Sequence, residues 1–226
     1  MFWYDPTFVL IIPVFILALY AQNKVQSNYK RFQKIANGSG MSGKEIARFI
    51  LQRNGLYDVP VKPVSGELTD HYDPKSREVH LSEEIFYGRS ISSAGIAAHE
   101  VGHALQHASS YLPLTVRSGI FPIANIGSTM AFPLFIIGML LRTPLLMDLG
   151  IYFFAGALVF HVVTLPVEFN ASRRALAQLG DGILMQPEDM KGAKAVLDAA
   201  ALTYVASTLM ALVQFLRLLI LRGSRN

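Results

Sequence analysis

The chain has 226 residues, of which 52% are hydrophobic and only 16% charged, and its mean hydropathy is +0.36, a balance that excludes an ordinary water-soluble globule. It contains no cysteine, which excludes a disulfide framework and a thiolate metal site, so any metal must rest on histidine and carboxylate ligands. The net charge of +4 does not point to nucleic acid, because the basic residues cluster beside apolar spans instead of interleaving with aromatics, and that pattern suits anionic lipid headgroups.

The first apolar span runs from about Phe8 to Ala21, with Phe2, Trp3 and Tyr4 ahead of it as an interfacial aromatic belt. No lysine or arginine precedes it, and Ala18 to Ala21 makes no small-x-small cleavage site. The segment therefore reads as an uncleaved anchor. Gln22 to Ser118 is the main water-facing region. Its basic, helix-compatible start breaks at Asn37-Gly38-Ser39-Gly40, and an amphipathic helix is predicted over Ser42 to Gln52. Val59 to Val64 and Arg77 to Leu81 read as short extended segments joined by the turn-rich Gly66 to Pro74. A small hairpin or edge sheet follows, with Pro60 and Pro63 keeping the first strand at an edge.

A helix is predicted through Ser92 to Ala108, and it carries His99-Glu100-Val101-Gly102-His103. On a helix the two imidazoles lie one turn apart on one face, spaced to grip one metal ion. Glu100 then sits beside the metal, where its carboxylate can take a proton from a metal-bound water and pass it to a leaving amine. His107 continues the spacing, but about 12 Å of helix separates it from His99, too far to share one tetrahedral ion with both. Gln106 and Ser109 stand where the metzincin pattern needs glycine and histidine, which excludes that class.

Ile120 to Leu141 and Leu145 to Val167 are two further spans, separated only by Arg142-Thr143-Pro144. They read as a helical hairpin through the bilayer, with kinks at Pro122 and Pro133. The chain thereby returns to the side of the His99 helix and emerges at Glu168, at the start of a helix to Leu179. Glu168 is therefore the favoured third ligand, giving a His, His, Glu site. Asp181, in Leu179-Gly180-Asp181-Gly182, is the rival, because site-2 proteases use an aspartate in a similar turn. His161 lies on the same helix face as Glu168, and His71, Tyr72 and His80 lie in the loop and strand before the motif; their roles stay open. A fourth span covers about Ala200 to Leu221.

Lys24, Lys30, Arg31, Lys34, Arg117, Arg173, Arg174, Lys191 and Lys194 fall on one side of these spans, and Arg142, Arg222 and Arg225 on the other. The crowded side is expected to be cytoplasmic, and the metal motif with it. The expected organisation is an anchor (1–22), a cytosol-facing catalytic region (23–118), a transmembrane hairpin (119–167), a third-ligand helix and connector (168–198), and a last transmembrane helix with its tail (199–226).

The order of an N-terminal anchor, Gly66 to Pro74 (GELTDHYDP), Val79 to Ser82, Ala97 to Gln106 (AAHEVGHALQ) and Glu168 to Ala175 (EFNASRRA) resembles the YugP-like membrane zinc metallopeptidases of bacteria. More distantly it is similar to the HtpX and Ste24 peptidases, gluzincins with two membrane spans between the histidine motif and the glutamate ligand. The resemblance implies Zn²⁺ at His99, His103 and Glu168, Glu100 as general base, and a place in the bacterial cell (inner) membrane. In the HtpX-like pattern an aspartate four residues after the ligand glutamate orients a metal-binding histidine. Ser172 stands there in this chain, and a hydroxyl can accept the same hydrogen bond without supplying charge.

The expectation is a mainly α, polytopic protein with about four transmembrane helices and a zincin-like catalytic region with a small β-hairpin or sheet. Its expected activity is zinc-dependent hydrolysis of peptide bonds, by a Glu100-activated water, in membrane or membrane-associated proteins. The alternatives are a site-2-protease-like intramembrane enzyme and a non-catalytic scaffold that keeps zinc for structure.

Overall fold

The computed structural model describes residues 6–224; the expected aromatic belt at Phe2, Trp3 and Tyr4, and the tail residue Arg225, lie outside the described residues. After a 3-10 turn at Pro6–Leu10 come seven α-helices and three strands: α1 Ile11–Gln33, α2 Gly43–Arg53, β1 Val61–Val64, β2 His71–Asp73, β3 Glu78–Ser82, α3 Glu83–Tyr87, α4 Ile91–Ala108, α5 Leu112–Leu140, α6 Pro144–Leu179 and α7 Pro187–Gly223. Four of these segments are long and apolar enough to cross a membrane: Thr7–Gln33, Leu112–Leu140, Pro144–Leu179 and Pro187–Gly223. The chain divides into two compact units, one of residues 22–114 and 167–202, the other of the remaining segments.

In the first unit, α2 forms where Ser42 and Glu45 make a reciprocal cap: Glu45 N donates to Ser42 Oγ, and Ser42 N donates to Glu45 Oε2 at 2.7 Å. Its Ile46, Ala47, Ile50 and Leu51 recur at helical spacing and are buried. They join Val79, Leu81, Ile85, Val101, Leu179 and Leu184 in one apolar core. Each large side chain removed from water there contributes about 1.5–3 kcal/mol.

The sheet order is β1-β3-β2, with β1 parallel and β2 antiparallel to β3. Two sequence expectations are corrected here. The hairpin is β2–β3, while the first and last extended segments pair in parallel, and β2 lies inside the stretch read as turns. The strand around Val79 is central; β1, which carries Pro63, and β2 are the edges, as proline's missing N–H requires of β1.

In the second unit, close helix approach is permitted by glycine. A Cβ on Gly127 would lie 2.7 Å from the Phe153 carbonyl oxygen, and one on Gly150 equally near that of Ala131. Phe135, Met147, Ile151, Phe154 and Leu218 pack around this contact. Arg222 donates from Nε and a terminal nitrogen to the two carboxylate oxygens of Asp148, at 2.8 and 3.3 Å. Other large apolar side chains face outward, among them Phe15, Ile123 and Leu145, as a lipid-facing surface requires. Pro122 and Pro133 lie inside an unbroken α5.

Candidate metal centre

Helix α4 begins cleanly because the Ser90 side chain accepts from Ser93 N. Its buried run of Ala94, Ala97, Ala98, Val101 and Ala104 seats one face in the core and fixes the rotation of His99 and His103. Helix α6 differs from expectation: it continues from Pro144 through Pro166 to Leu179, so Glu168 stands in a helix interior and cannot be an N-terminal carboxylate complementing a helix dipole. Proline is tolerated within such a helix because neighbouring groups re-satisfy the freed carbonyl.

The two helices meet at a glycine. A Cβ on Gly102 would lie 2.6 Å from the Ala171 carbonyl oxygen, so only glycine allows this approach. The contact brings His99 Nε2 to 3.3 Å and His103 Nε2 to 3.7 Å from Glu168 Oε2. One ligand atom from each of the three residues lies within 4.8 Å of the others. The imidazoles stand edge-on, 4.9 Å between centroids, and the Glu168 side chain is only 3% exposed.

Each histidine has its far nitrogen occupied. His99 Nδ1 lies 3.2 Å from Ser172 Oγ, and His103 Nδ1 lies 3.0 Å from Gln106 Oε1. Burial alone would hold the His103 imidazole down; the adjacent Glu168 carboxylate, then Glu100 and Gln106, outweigh it and raise its pKa. Two imidazole nitrogens and a carboxylate oxygen converging in a buried spot, with the outer nitrogens turned to other partners, form a donor set that fits a divalent metal such as zinc. Glu100 is buried and stands outside this group.

Asp181 is not in the group. It pairs with Arg53 and accepts from Ile183 N in its turn. His107 bonds through Nδ1 to the Tyr72 hydroxyl at 2.9 Å. His80 stacks on His71, 4.8 Å between centroids, and its Nε2 lies 3.2 Å from Glu78. His161 is half-buried in α6, outside this unit.

Sequence reasoning passed over two residues near the site. Gln106 entered only through the metzincin comparison and the AAHEVGHALQ run, with no role toward His103; its spacing of three from His103 was the signal available. Asp70 accepts from Ser82 N at 2.7 Å and from Ser82 Oγ. Burial raises its carboxyl to about 6, against the lowering by the Ser82 N–H and with a further push from the charge of Glu100.

A family model described as "Putative neutral zinc metallopeptidase" matches residues 7–223. The chain is 51% identical over 208 residues, 92% of each sequence, to a protein of Bacillus subtilis (strain 168) named "Putative membrane protease YugP". No solved structure matches. With the match running through almost all of the chain and the relative sharing half of its residues, the chain belongs to this zinc metallopeptidase family.

Proposed function

We propose that the protein is a membrane endopeptidase that uses zinc held by His99, His103 and Glu168. The observation that carries this reading is the convergence of those three side chains with Glu100 buried beside them and outside the ligand group. Bound zinc would supply Lewis acidity, activating a water and polarising the scissile carbonyl. Glu100 takes the proton of the attacking water and returns it to the leaving amine. A structural site needs ligands but no such base, which argues against a zinc-stabilised scaffold.

Extended substrate would add to the free edge of β2. That strand carries Tyr72, whose hydroxyl is held by His107, one helical turn beyond His103 on α4. With the ring proton on His107 Nδ1, the phenol proton is left for a carbonyl oxygen; burial raises the Tyr72 pKa and keeps that proton in place.

Substrates are membrane proteins or their exposed segments, and the site faces the cytoplasm. The unequal distribution of basic residues supports that orientation, and Asp148 offsets the charge of Arg222, one of the basic residues on the sparse side. Cytoplasm-active reporters should work near Ser39 and fail at Thr143; the reverse would move the site outside.

Metal analysis and peptide cleavage by wild type and Glu100→Gln test the chemistry. The variant should keep zinc and lose cleavage. Undiminished cleavage would remove Glu100 from the mechanism.

A further inference from the structure

Gln106 is fully buried in α4, and its amide can face only one way. Nε2 donates to the Val167 carbonyl oxygen at 2.7 Å and to Asn170 Oδ1 at 3.0 Å. A carbonyl oxygen only accepts, so the amide nitrogen must face α6 and Oε1 must face His103 Nδ1, 3.0 Å away. Oε1 also only accepts, so Nδ1 carries a proton, and Nε2, the atom that faces Glu168, is the nitrogen left to give its lone pair to a metal.

The next link fixes the direction of the whole chain. Arg174 Nε, which can only donate, lies 2.8 Å from the same Asn170 Oδ1. Flipping Asn170 would set its NH₂ against both the guanidinium and the Gln106 amide. Arg174 is itself tied to the C-terminal end of α4, through Ser109 Oγ at 3.1 Å and the Leu105 carbonyl. A cation at one end and a histidine ring at the other are thus joined by two amides that cannot turn over independently.

We propose that Gln106, oriented by Asn170 and Arg174, is a positioning residue that commits His103 to bind a metal through Nε2. It rests on the reading of His99, His103 and Glu168 as zinc ligands, and it assigns the outer partner of the second histidine as Ser172 is the outer partner of the first.

The test uses the full-length protein in detergent, with zinc affinity read by chelator competition and ligand geometry by the absorption bands of the Co²⁺-loaded form. Asn170→Leu removes the shared acceptor at a half-buried position and should weaken zinc by roughly 10–100-fold and alter the Co²⁺ spectrum. Asn170→Asp keeps an acceptor for Gln106 and Arg174 and should bind like wild type. Gln106→Leu should behave like Asn170→Leu or worse; should it fail to fold, the Asn170 pair still decides. Wild-type affinity and an unchanged spectrum in Asn170→Leu would overturn the role of this chain of bonds while leaving the site intact. Wild-type protein that takes up no metal would overturn both readings.

Discussion

Gly102 and Ala171 touch where the helix of His99 and His103 meets the helix of Glu168: the Ala171 carbonyl oxygen lies 2.6 Å from where a Cβ on Gly102 would be. Ala171 is three residues beyond Glu168, and Gly102 is the residue before His103, so this contact, with the Gln106 and Arg174 bonds between the same helices, sets the reach of the carboxylate toward both imidazoles.

Gly102→Ala should therefore damage the site without altering any ligand. The clash is with backbone, which cannot rotate away, and overpacking of this kind costs about 1–3 kcal/mol. The helices must separate, and zinc affinity should fall together with the thermal midpoint. A variant that binds zinc as tightly as wild type would show that α4 and α6 can shift without disturbing the three donors.

Ser172 stands against His99 with a neutral oxygen, 3.2 Å from Nδ1. Ser172→Ala removes the acceptor and should weaken zinc by about 10-fold or more, whereas Ser172→Asp supplies charge and should tighten it. Equal affinities across the three proteins, measured by chelator competition, would mean that the contact does not orient the ring.

Asp70 gives the molecule an unusual pH dependence. Its carboxyl is raised from an ordinary 3.8 to about 6, so between those values the folded state holds a proton that the unfolded state has released. Stability contributed by that proton is complete below about pH 4 and lost as pH rises through 6, at a cost on the order of 3 kcal/mol. Asp70→Asn keeps the acceptor for Ser82 and carries no charge. It should melt higher than wild type above pH 6, with the advantage vanishing toward pH 4. An advantage that grows with acidity would contradict the assigned burial.

What could be read without the structure followed the range of the interaction involved. The span through Ile123 and Phe135, the cap at Ser42 and the pairing of His99 with His103 are set within one or two helical turns, and periodicity reports them. The strand His71–Asp73 was hidden because three residues among Asp, Pro and Gly look like a turn until β3 is there to pair with. The continuity of α6 was hidden by Pro166, which breaks a helix in water but is tolerated where packing re-satisfies the backbone. The bond from Gln106 to Val167 crosses 61 positions, and no local pattern carries it. Glu168 was the long-range feature that could be anticipated, because a hairpin of two spans must return the chain to the side it left.

That argument leads to the sharpest comparison, between Glu168 and Asp181. Glu168 lies within reach of both Nε2 atoms and is almost fully buried, whereas Asp181 is engaged with Arg53 and with the backbone of its own turn. Glu168→Ala deletes one of three donors from a site that has no spare one among the described residues, so zinc occupancy should collapse and cleavage with it. Asp181→Ala deletes an ion pair whose Arg53 side chain is 46% exposed. Such pairs contribute little, about 0–1 kcal/mol, so zinc should remain at wild-type stoichiometry with at most a small fall in thermal midpoint. Zinc measured on both purified variants separates the cases: full metal in Glu168→Ala together with loss in Asp181→Ala would transfer the third ligand to the turn and bring back the site-2-protease arrangement.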